Sequence, residues 1–233
     1  MTKKQITKEF LTLFSKNWDD PIAHQGFKQL RERVAGQGQW PAIIDARLMA
    51  LEKKTAESIK LLQDIVTRDH SNFCASLLLA RILCTDDDRP GEAYVICDSL
   101  LHQGFHDQPL PDWLEISTMF YKGVALAEMG KPVEAIRVHD DVAVRFAQSA
   151  NIDVLDNVAS SLIEKGLVLG NIGMSEEEIR AYDDVVARFG ESVDLLLRKQ
   201  VARALINKGI TLGEMNKPEE EIRIYDDVVK RFE

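Results

Sequence analysis

One segment occurs three times in this chain, and that repetition constrains the fold more than any other feature. The copies span residues 123–146, 166–189 and 209–232, so the offset is 43 residues both times. Aligned without gaps, the second and third copies agree at 15 of 24 positions, and the first and third at 14 of 24. A fixed long period is typical of proteins built from stacked repeats, in which each unit buries its apolar side against its neighbours.

Each copy is predicted to contain the end of one helix, a turn and a second, amphipathic helix. Gly130 and Gly173 stand where a helix end favours left-handed backbone, with Asn216 at the third place. Ser175 followed by Glu178 predicts a capping box at the start of the second helix. Apolar residues three or four positions apart then form one stripe in the second copy: Ile179, Tyr182, Val185, Val186 and Phe189.

A glycine recurs inside the first helix of each copy, at Gly123, Gly166 and Gly209. Glycine in a helix interior costs up to about 1 kcal/mol relative to alanine. Three such glycines therefore predict that a neighbouring helix approaches closely at this position.

In these features the unit resembles the tetratricopeptide repeat. Gly166, Leu169, Gly173 and Tyr182 match that family's small residue, following apolar residue, turn glycine and second-helix aromatic residue, and Ala135 matches its first second-helix alanine. The unit departs from that family in three ways. Glu178 and Glu221 replace the first alanine, and Val185 and Val228 replace a second alanine. The closing proline of the family is absent. The family's usual period is about 34 residues, so each of these units is about nine residues longer.

The resemblance implies an all-α fold, a right-handed α-solenoid of antiparallel helix pairs. Six helix pairs are predicted, at 4–35, 39–69, 73–104, 112–147, 152–190 and 194–232. Residues 1–38 are interpreted as an N-terminal helical pair, either a cap or a degenerate repeat. Residues 39–107 hold two short repeats and 108–233 hold three extended ones, all within one continuous solenoid.

The resemblance also implies a concave groove, lined by the first helices, that binds extended or helical peptides. The positions three before and one after the small residue face this groove in the family, and here they are Ile43, Arg47, Leu77, Arg81, Phe120, Val124, Ile163, Leu167, Ile206 and Ile210. The N-terminal half would offer two arginines, which suit carboxylates, and the C-terminal half an apolar strip. The alternative is that these side chains pack against adjoining units.

A second recurring pattern places a lysine before each repeat glycine and an aspartate pair in each second helix. The lysines are Lys122, Lys165 and Lys208, and the pairs are Asp140–Asp141, Asp183–Asp184 and Asp226–Asp227. One interpretation is a ladder of charges that recognises an anionic partner. The other is that the lysines bridge adjacent helices within the array.

Composition and motifs exclude several classes of function. The net charge of −9 argues against nucleic acid and anionic membranes as partners. Neither a secretory signal nor an apolar run of membrane-spanning length occurs, and the three cysteines have no metal-type spacing, so we expect a cytoplasmic protein. His102 and His106 are four apart but have no third ligand, and we interpret them as loop residues.

No enzyme signature is present in the sequence, and we predict no catalytic residue, cofactor or metal. The favoured function is a non-catalytic scaffold that binds a peptide or protein segment in its groove. One alternative is a self-assembling structural module, in which an uncapped last repeat associates through Tyr225, Val229 and Phe232. The other is the recognition arm of a larger enzyme.

Overall fold

The computed structural model of the chain describes residues 2, 5–6, 9–10, 21–103 and 110–232, and in these residues every regular element is an α-helix. The helices are α1 (Pro21–Arg33), α2 (Trp40–Leu51), α3 (Thr55–Arg68), α4 (Phe73–Thr85), α5 (Pro90–Gln103), α6 (Asp112–Glu128), α7 (Pro132–Arg145), α8 (Ile152–Asn171), α9 (Ser175–Phe189), α10 (Leu195–Glu214) and α11 (Pro218–Phe232). The predicted helix pairs from residue 39 onward are confirmed. The first helix of the pair predicted at 4–35 lies largely outside the described residues.

The chain divides into two compact units, residues 1–110 and residues 111–233. In the second unit the first helices α6, α8 and α10 pack side by side, and α7 and α9 each lie between two successive first helices. In the first unit α1 to α5 pack in chain order, and α2 also contacts α4. Stacked helix pairs of this kind are the arrangement of an α-solenoid, so the predicted all-α fold class is confirmed. The continuity of the array across residues 110 and 111 stays a prediction.

The turns between paired helices follow the sequence. Gly130 and Gly173 have φ of 71° and 78°, and Asn216 has φ of 57°, which is the left-handed backbone that ends a helix. The predicted capping box is wrong. Met174 is the N-cap of α9 and makes no side-chain cap hydrogen bond, and Ser175 is already the first helical residue. The side chain of Glu178 is therefore available for another contact.

First helices are longer in the second unit than in the first. α8 and α10 each contain 20 residues and begin 43 positions apart, whereas α4 contains 13 residues. The difference of seven residues is about two helical turns. That the 43-residue unit is an extended form of the tetratricopeptide repeat stays a prediction.

Candidate protein-interaction surface

The repeat glycines lie against an aromatic or imidazole ring from the second helix of the same pair. A Cβ atom added to Gly166 would lie 2.5 Å from the Tyr182 ring. The equivalent distance is 2.6 Å from Gly123 to the His139 ring and 2.4 Å from Gly209 to the Tyr225 ring. The predicted close approach of a helix at these glycines is confirmed, and the approaching helix is the partner within the pair.

A buried carboxylate links two successive helix pairs. Glu178 Oε1 accepts hydrogen bonds from the Tyr182 hydroxyl at 3.0 Å and from the Thr211 hydroxyl of α10 at 2.9 Å. A Cβ at Gly170 would lie 2.6 Å from Glu178 Oε2, so this glycine leaves room for the carboxylate. Burial, and then the nearby charge of Glu178, raise the pKa of Tyr182. The phenol therefore stays protonated and donates.

The first copy of the repeat fills the same space differently. His139 replaces the tyrosine, Ala135 replaces the glutamate and Ala127 replaces Gly170. His139 is fully buried, and neither ring nitrogen has a hydrogen-bond partner among the described residues. Burial lowers its pKa to about 4, against the opposing influence of Asp140. The imidazole is therefore neutral at pH 7.

Sequence reasoning missed this network, although the alignment carries a signal for it. Three positions change together between copies: Ala127, Ala135 and His139 become Gly170, Glu178 and Tyr182. The third copy keeps the second set as Gly213, Glu221 and Tyr225. A joint change of a small, an acidic and an aromatic residue indicates that the three side chains share one space.

The lysine–aspartate ladder joins successive helix pairs. Lys165 Nζ lies 2.6 Å from Asp140 Oδ1, and Lys208 Nζ lies 2.6 Å from Asp183 Oδ1. In each bridge the lysine belongs to a first helix and the aspartate to the preceding second helix. The interpretation that these lysines bridge adjacent helices is confirmed for both pairs.

Among the predicted groove residues, those three positions before the small residue of each first helix lie mostly in the interior. Ile43, Leu77 and Ile163 are buried, so packing against adjoining helices accounts for them. Phe120 is half-buried, and its ring centroid lies 6.0 Å from that of His139. Ile206 differs from Ile163, its equivalent, because 43% of it is exposed.

The groove positions one residue after the small residue are more open in the second unit. Val124 and Leu167 are half-buried, and Ile210 is 49% exposed. We call these three residues the apolar strip, because each belongs to one of the first helices α6, α8 and α10 that pack side by side.

The two arginines predicted to line the groove, Arg47 and Arg81, differ in burial. Arg47 is fully buried, and its guanidinium carbon lies 5.3 Å from the centroid of the Phe27 ring. The expectation that Arg47 faces an open groove is therefore corrected, because this side chain lies inside the unit. Arg81 is half-buried and keeps part of its surface accessible.

The residues predicted for self-association lie on α11. Val229 is 54% exposed, and Tyr225 and Phe232 are half-buried. The Phe232 ring is covered on one side by Arg198 of α10, whose guanidinium carbon lies 5.2 Å from the ring centroid.

Within the described residues no group of three or more His, Cys, Asp or Glu side chains is placed to hold a metal ion. His106 lies outside those residues, and the His102 ring nitrogen lies 2.7 Å from the Asp98 carbonyl one turn earlier in α5. None of the described helices combines the length and the apolar character that crossing a membrane requires.

Comparison with known proteins gives structural similarity alone: no protein-family model and no curated protein sequence matches the chain. The crystal structure of MamA aligns with a TM-score of 0.55 at 14% identity, covering 80% of this chain and 93% of that one. A tetratricopeptide repeat protein from Parabacteroides merdae ATCC 43184 aligns with a TM-score of 0.55 at 11% identity, covering 99% and 80%. NprR in complex with its cognate peptide NprX aligns with a TM-score of 0.55 at 12% identity, covering 99% and 68%.

These similarities confirm the resemblance at the level of the fold. The chain has the helical-repeat fold of tetratricopeptide repeat proteins. Such a fold supports many functions, and the accessible side chains determine which one a given chain has.

Proposed function

We propose that the chain is a non-catalytic protein–protein interaction scaffold that holds a peptide or a segment of a partner protein on the first helices of its repeats. The observation that carries the proposal is the apolar strip, in which Val124, Leu167 and Ile210 keep accessible surface on three adjacent helices. The neighbouring position is buried at Ile163. The strip residues therefore present apolar surface that their neighbours leave uncovered.

The chemistry of the strip favours a ligand with apolar side chains at regular spacing. First helices that pack side by side lie about 8–10 Å apart, so successive strip residues can contact successive side chains of a bound segment. NprR, which shares the fold, was crystallised with a peptide. The net charge of −9 favours basic over acidic partners. We place the protein in the cytoplasm, and we propose neither nucleic acid nor membrane as a partner.

The first unit, taken by itself, offers one candidate polar contact to a ligand. Arg81 is half-buried at the equivalent position of α4, and a guanidinium there suits a carboxylate of the ligand. Arg47 is excluded from this role by its burial.

The test uses peptides selected from a random phage-displayed library on the intact chain. Leu167→Glu should weaken binding of the selected peptides at least tenfold, because it places a charge within the apolar strip. Val144→Glu is the matched control, since Val144 lies on the second helix α7 and is 75% exposed. Equal affinity of the Leu167→Glu variant and the wild-type chain, with both folded by circular dichroism, would remove the strip from the proposal.

Self-assembly is a second candidate, and the exposure of Val229 favours it. Exposed apolar side chains on a helix face are typical of interfaces between chains. Sedimentation velocity over a hundredfold concentration range tests it. A concentration-dependent dimer that Val229→Glu abolishes would support this function, and a monomer at every concentration would contradict it.

A further inference from the structure

We propose that the turns of the pairs α6–α7 and α8–α9 form a docking surface for a basic amphipathic helix of a partner protein. This surface is here named the turn edge. Its apolar members are Met129, Val133, Ile172 and Met174, and its carboxylates are Glu128, Glu134, Glu176 and Glu177. It is separate from the apolar strip, so the inference goes beyond the proposed function.

The apolar side chains of the turn edge are exposed in two adjacent turns. Met129 and Val133 stand on either side of the turn between α6 and α7, and Ile172 and Met174 stand beside the turn between α8 and α9. Each of the four is between 36% and 58% exposed. Because α6 and α8 pack side by side, the two turns repeat at a spacing of about 8–10 Å. Exposed apolar side chains grouped in this way are typical of interaction sites.

The turn edge stays accessible when further pairs stack on the array. Successive pairs of a repeat array pack through the sides of their helices, whereas these turns lie at helix ends. Met129 and Ile172 come five positions after the strip residues Val124 and Leu167. Five positions correspond to about 7.5 Å along a helix and about 140° around its axis. The turn edge and the apolar strip therefore face different directions.

The carboxylates of the turn edge favour a basic partner. Glu134, Glu176 and Glu177 lie in the first turns of α7 and α9, where the helix dipole stabilises negative charge. Glu128 is the last residue of α6, where the dipole opposes negative charge, and no lysine or arginine of the described residues pairs with it. Local helix stability therefore does not account for Glu128, whereas a cation of a partner would.

The cations beside these carboxylates do not balance them. Lys131 Nζ lies 3.9 Å from Glu134, and the guanidinium of Arg180 lies 3.8 Å from Glu176 and 3.4 Å from Glu177. Within the described part of the chain, the four carboxylates of the turn edge thus share two cations. Lysine or arginine side chains of a partner would supply the missing positive charge.

A helix suits this surface better than an extended segment does. Residues seven apart on a helix lie on one face and about 10.5 Å apart, which is close to the spacing of the two turns. A helix also carries cations on both sides of its apolar stripe, whereas a strand turns alternate side chains to opposite faces. Methionine side chains can adapt to the shape of such a stripe.

A partner protein supplies this helix more readily than a second copy of the chain does. The two most basic of the described helices are α1 and α10. Their apolar side chains are already buried within their own units, at Phe27 and Leu30 of α1 and at Leu197, Val201 and Leu205 of α10. A second copy would have to open one of its units to offer either helix.

The probe is a fluorescein-labelled helical peptide of leucine, lysine and alanine, in which one stripe of leucines is flanked by lysines on both sides. Fluorescence anisotropy at physiological salt measures its binding to the intact chain. One control peptide has alanine in place of every leucine, and the other has glutamate in place of every lysine. We expect saturable binding of the probe, and binding of both control peptides at least tenfold weaker.

The repeat supplies variants of the chain that the fold already accommodates. Met174→Lys installs the residue of the other two copies, Lys131 and Lys217, and should weaken binding at least tenfold because it removes an apolar contact and adds a positive charge. Val144→Lys is the matched control: it installs Lys230 of the third copy at the far end of α7, and it should change the affinity less than twofold.

Two further variants separate the turn edge from the apolar strip. Glu128→Asn, which installs Asn171 of the second copy, should weaken binding about threefold, and Leu167→Glu in the strip should leave it unchanged. The proposal is overturned if the probe does not bind saturably, if the peptide without leucine binds equally well, or if Met174→Lys and Val144→Lys have equal effects. It is also overturned if Leu167→Glu abolishes binding while Met174→Lys does not, since the probe would then occupy the apolar strip of the proposed function.

Discussion

The pairs α6–α7 and α8–α9 share one repeat pattern but fill the space between their helices with different chemistry. In α6–α7 a neutral histidine, His139, lies on the repeat glycine without a hydrogen-bond partner among the described residues. In α8–α9 the equivalent Tyr182 lies on the glycine and donates to Glu178. The shared glycine sets the distance between the helices, and the side chains that fill the remaining space change as a set.

The largest expected difference between the two pairs is their response to pH. His139 has a pKa of about 4 in the folded chain, against 6.5 when it is exposed. Between these values the unfolded chain binds the proton and the folded chain does not, so the free energy of unfolding falls as the pH drops from 6.5 toward 4. The loss amounts to about 3 kcal/mol at its full extent.

His139→Phe isolates this effect, because the phenyl ring fits where the other copies place a tyrosine. Urea unfolding at several pH values between 4 and 7.5, followed by circular dichroism, measures it. Titration of Asp156, whose pKa burial raises, is common to both proteins and cancels in the difference. If the wild-type chain and the variant lose stability in parallel below pH 6.5, His139 does not stay neutral in the folded state.

Replacing the repeat glycines by alanine is expected to have the next largest effect on the free energy of unfolding. Gly166→Ala places a methyl group 2.5 Å from the ring of Tyr182, which is fully buried. We expect a loss of about 2 kcal/mol in the free energy of unfolding, as for overpacking of a core. Gly209→Ala makes the same change against Tyr225, which is only half-buried.

The second variant should therefore lose less than half as much as the first. Urea unfolding of the two variants and the wild-type chain checks this order. Equal losses for Gly166→Ala and Gly209→Ala would show that the burial of the ring beside the glycine does not determine the cost.

The helices and turns could be predicted because their causes are local. The apolar spacing that ends at Phe189 and the left-handed Gly173 act within a few residues, and both appear in the structure as expected. Glu178 was misread for the same reason. A serine three positions before a glutamate is a sufficient local signal for a capping box, and only the position of Thr211 in the next pair shows that the carboxylate is buried between pairs.

The interaction surface could be predicted only in part. The family's position rule names Arg47 and Leu167 alike, because both follow the small residue of a first helix. Their different burial depends on what the rest of each unit places over them: Arg47 lies against the ring of Phe27, and Leu167 stays half-open. Sequence spacing gives the face of a helix, but tertiary packing decides whether that face is covered.

Removing the buried carboxylate of Glu178 is expected to have a smaller effect on the free energy of unfolding. Glu178→Ala leaves the buried Tyr182 hydroxyl without its acceptor, whereas the Thr211 hydroxyl keeps the Asn207 carbonyl at 3.0 Å, and we expect a loss of about 1.5 kcal/mol. The triple variant Gly170→Ala, Glu178→Ala and Tyr182→His installs the set of the first copy and should recover part of that loss. A triple variant less stable than Glu178→Ala alone would contradict the idea that these residues form one exchangeable set.

Removing a salt bridge between successive helix pairs is expected to have the smallest effect on the free energy of unfolding. The effect should be the same for both bridges. Lys165 and Lys208 each lie 2.6 Å from an aspartate that is about half exposed, so each bridge contributes about 0.5 kcal/mol. Lys165→Met and Lys208→Met keep the length and apolar contacts of the side chain while removing its charge. The two variants should lose equal free energy of unfolding in dilute buffer. The losses should shrink in 1 M NaCl, because the Debye length there is about 3 Å and exposed charges are screened. Lys60→Met is the control, because Lys60 is exposed on α3 and forms no ion pair among the described residues. A loss that persists at high salt would show that the lysine stems hold adjoining helices together mainly by packing.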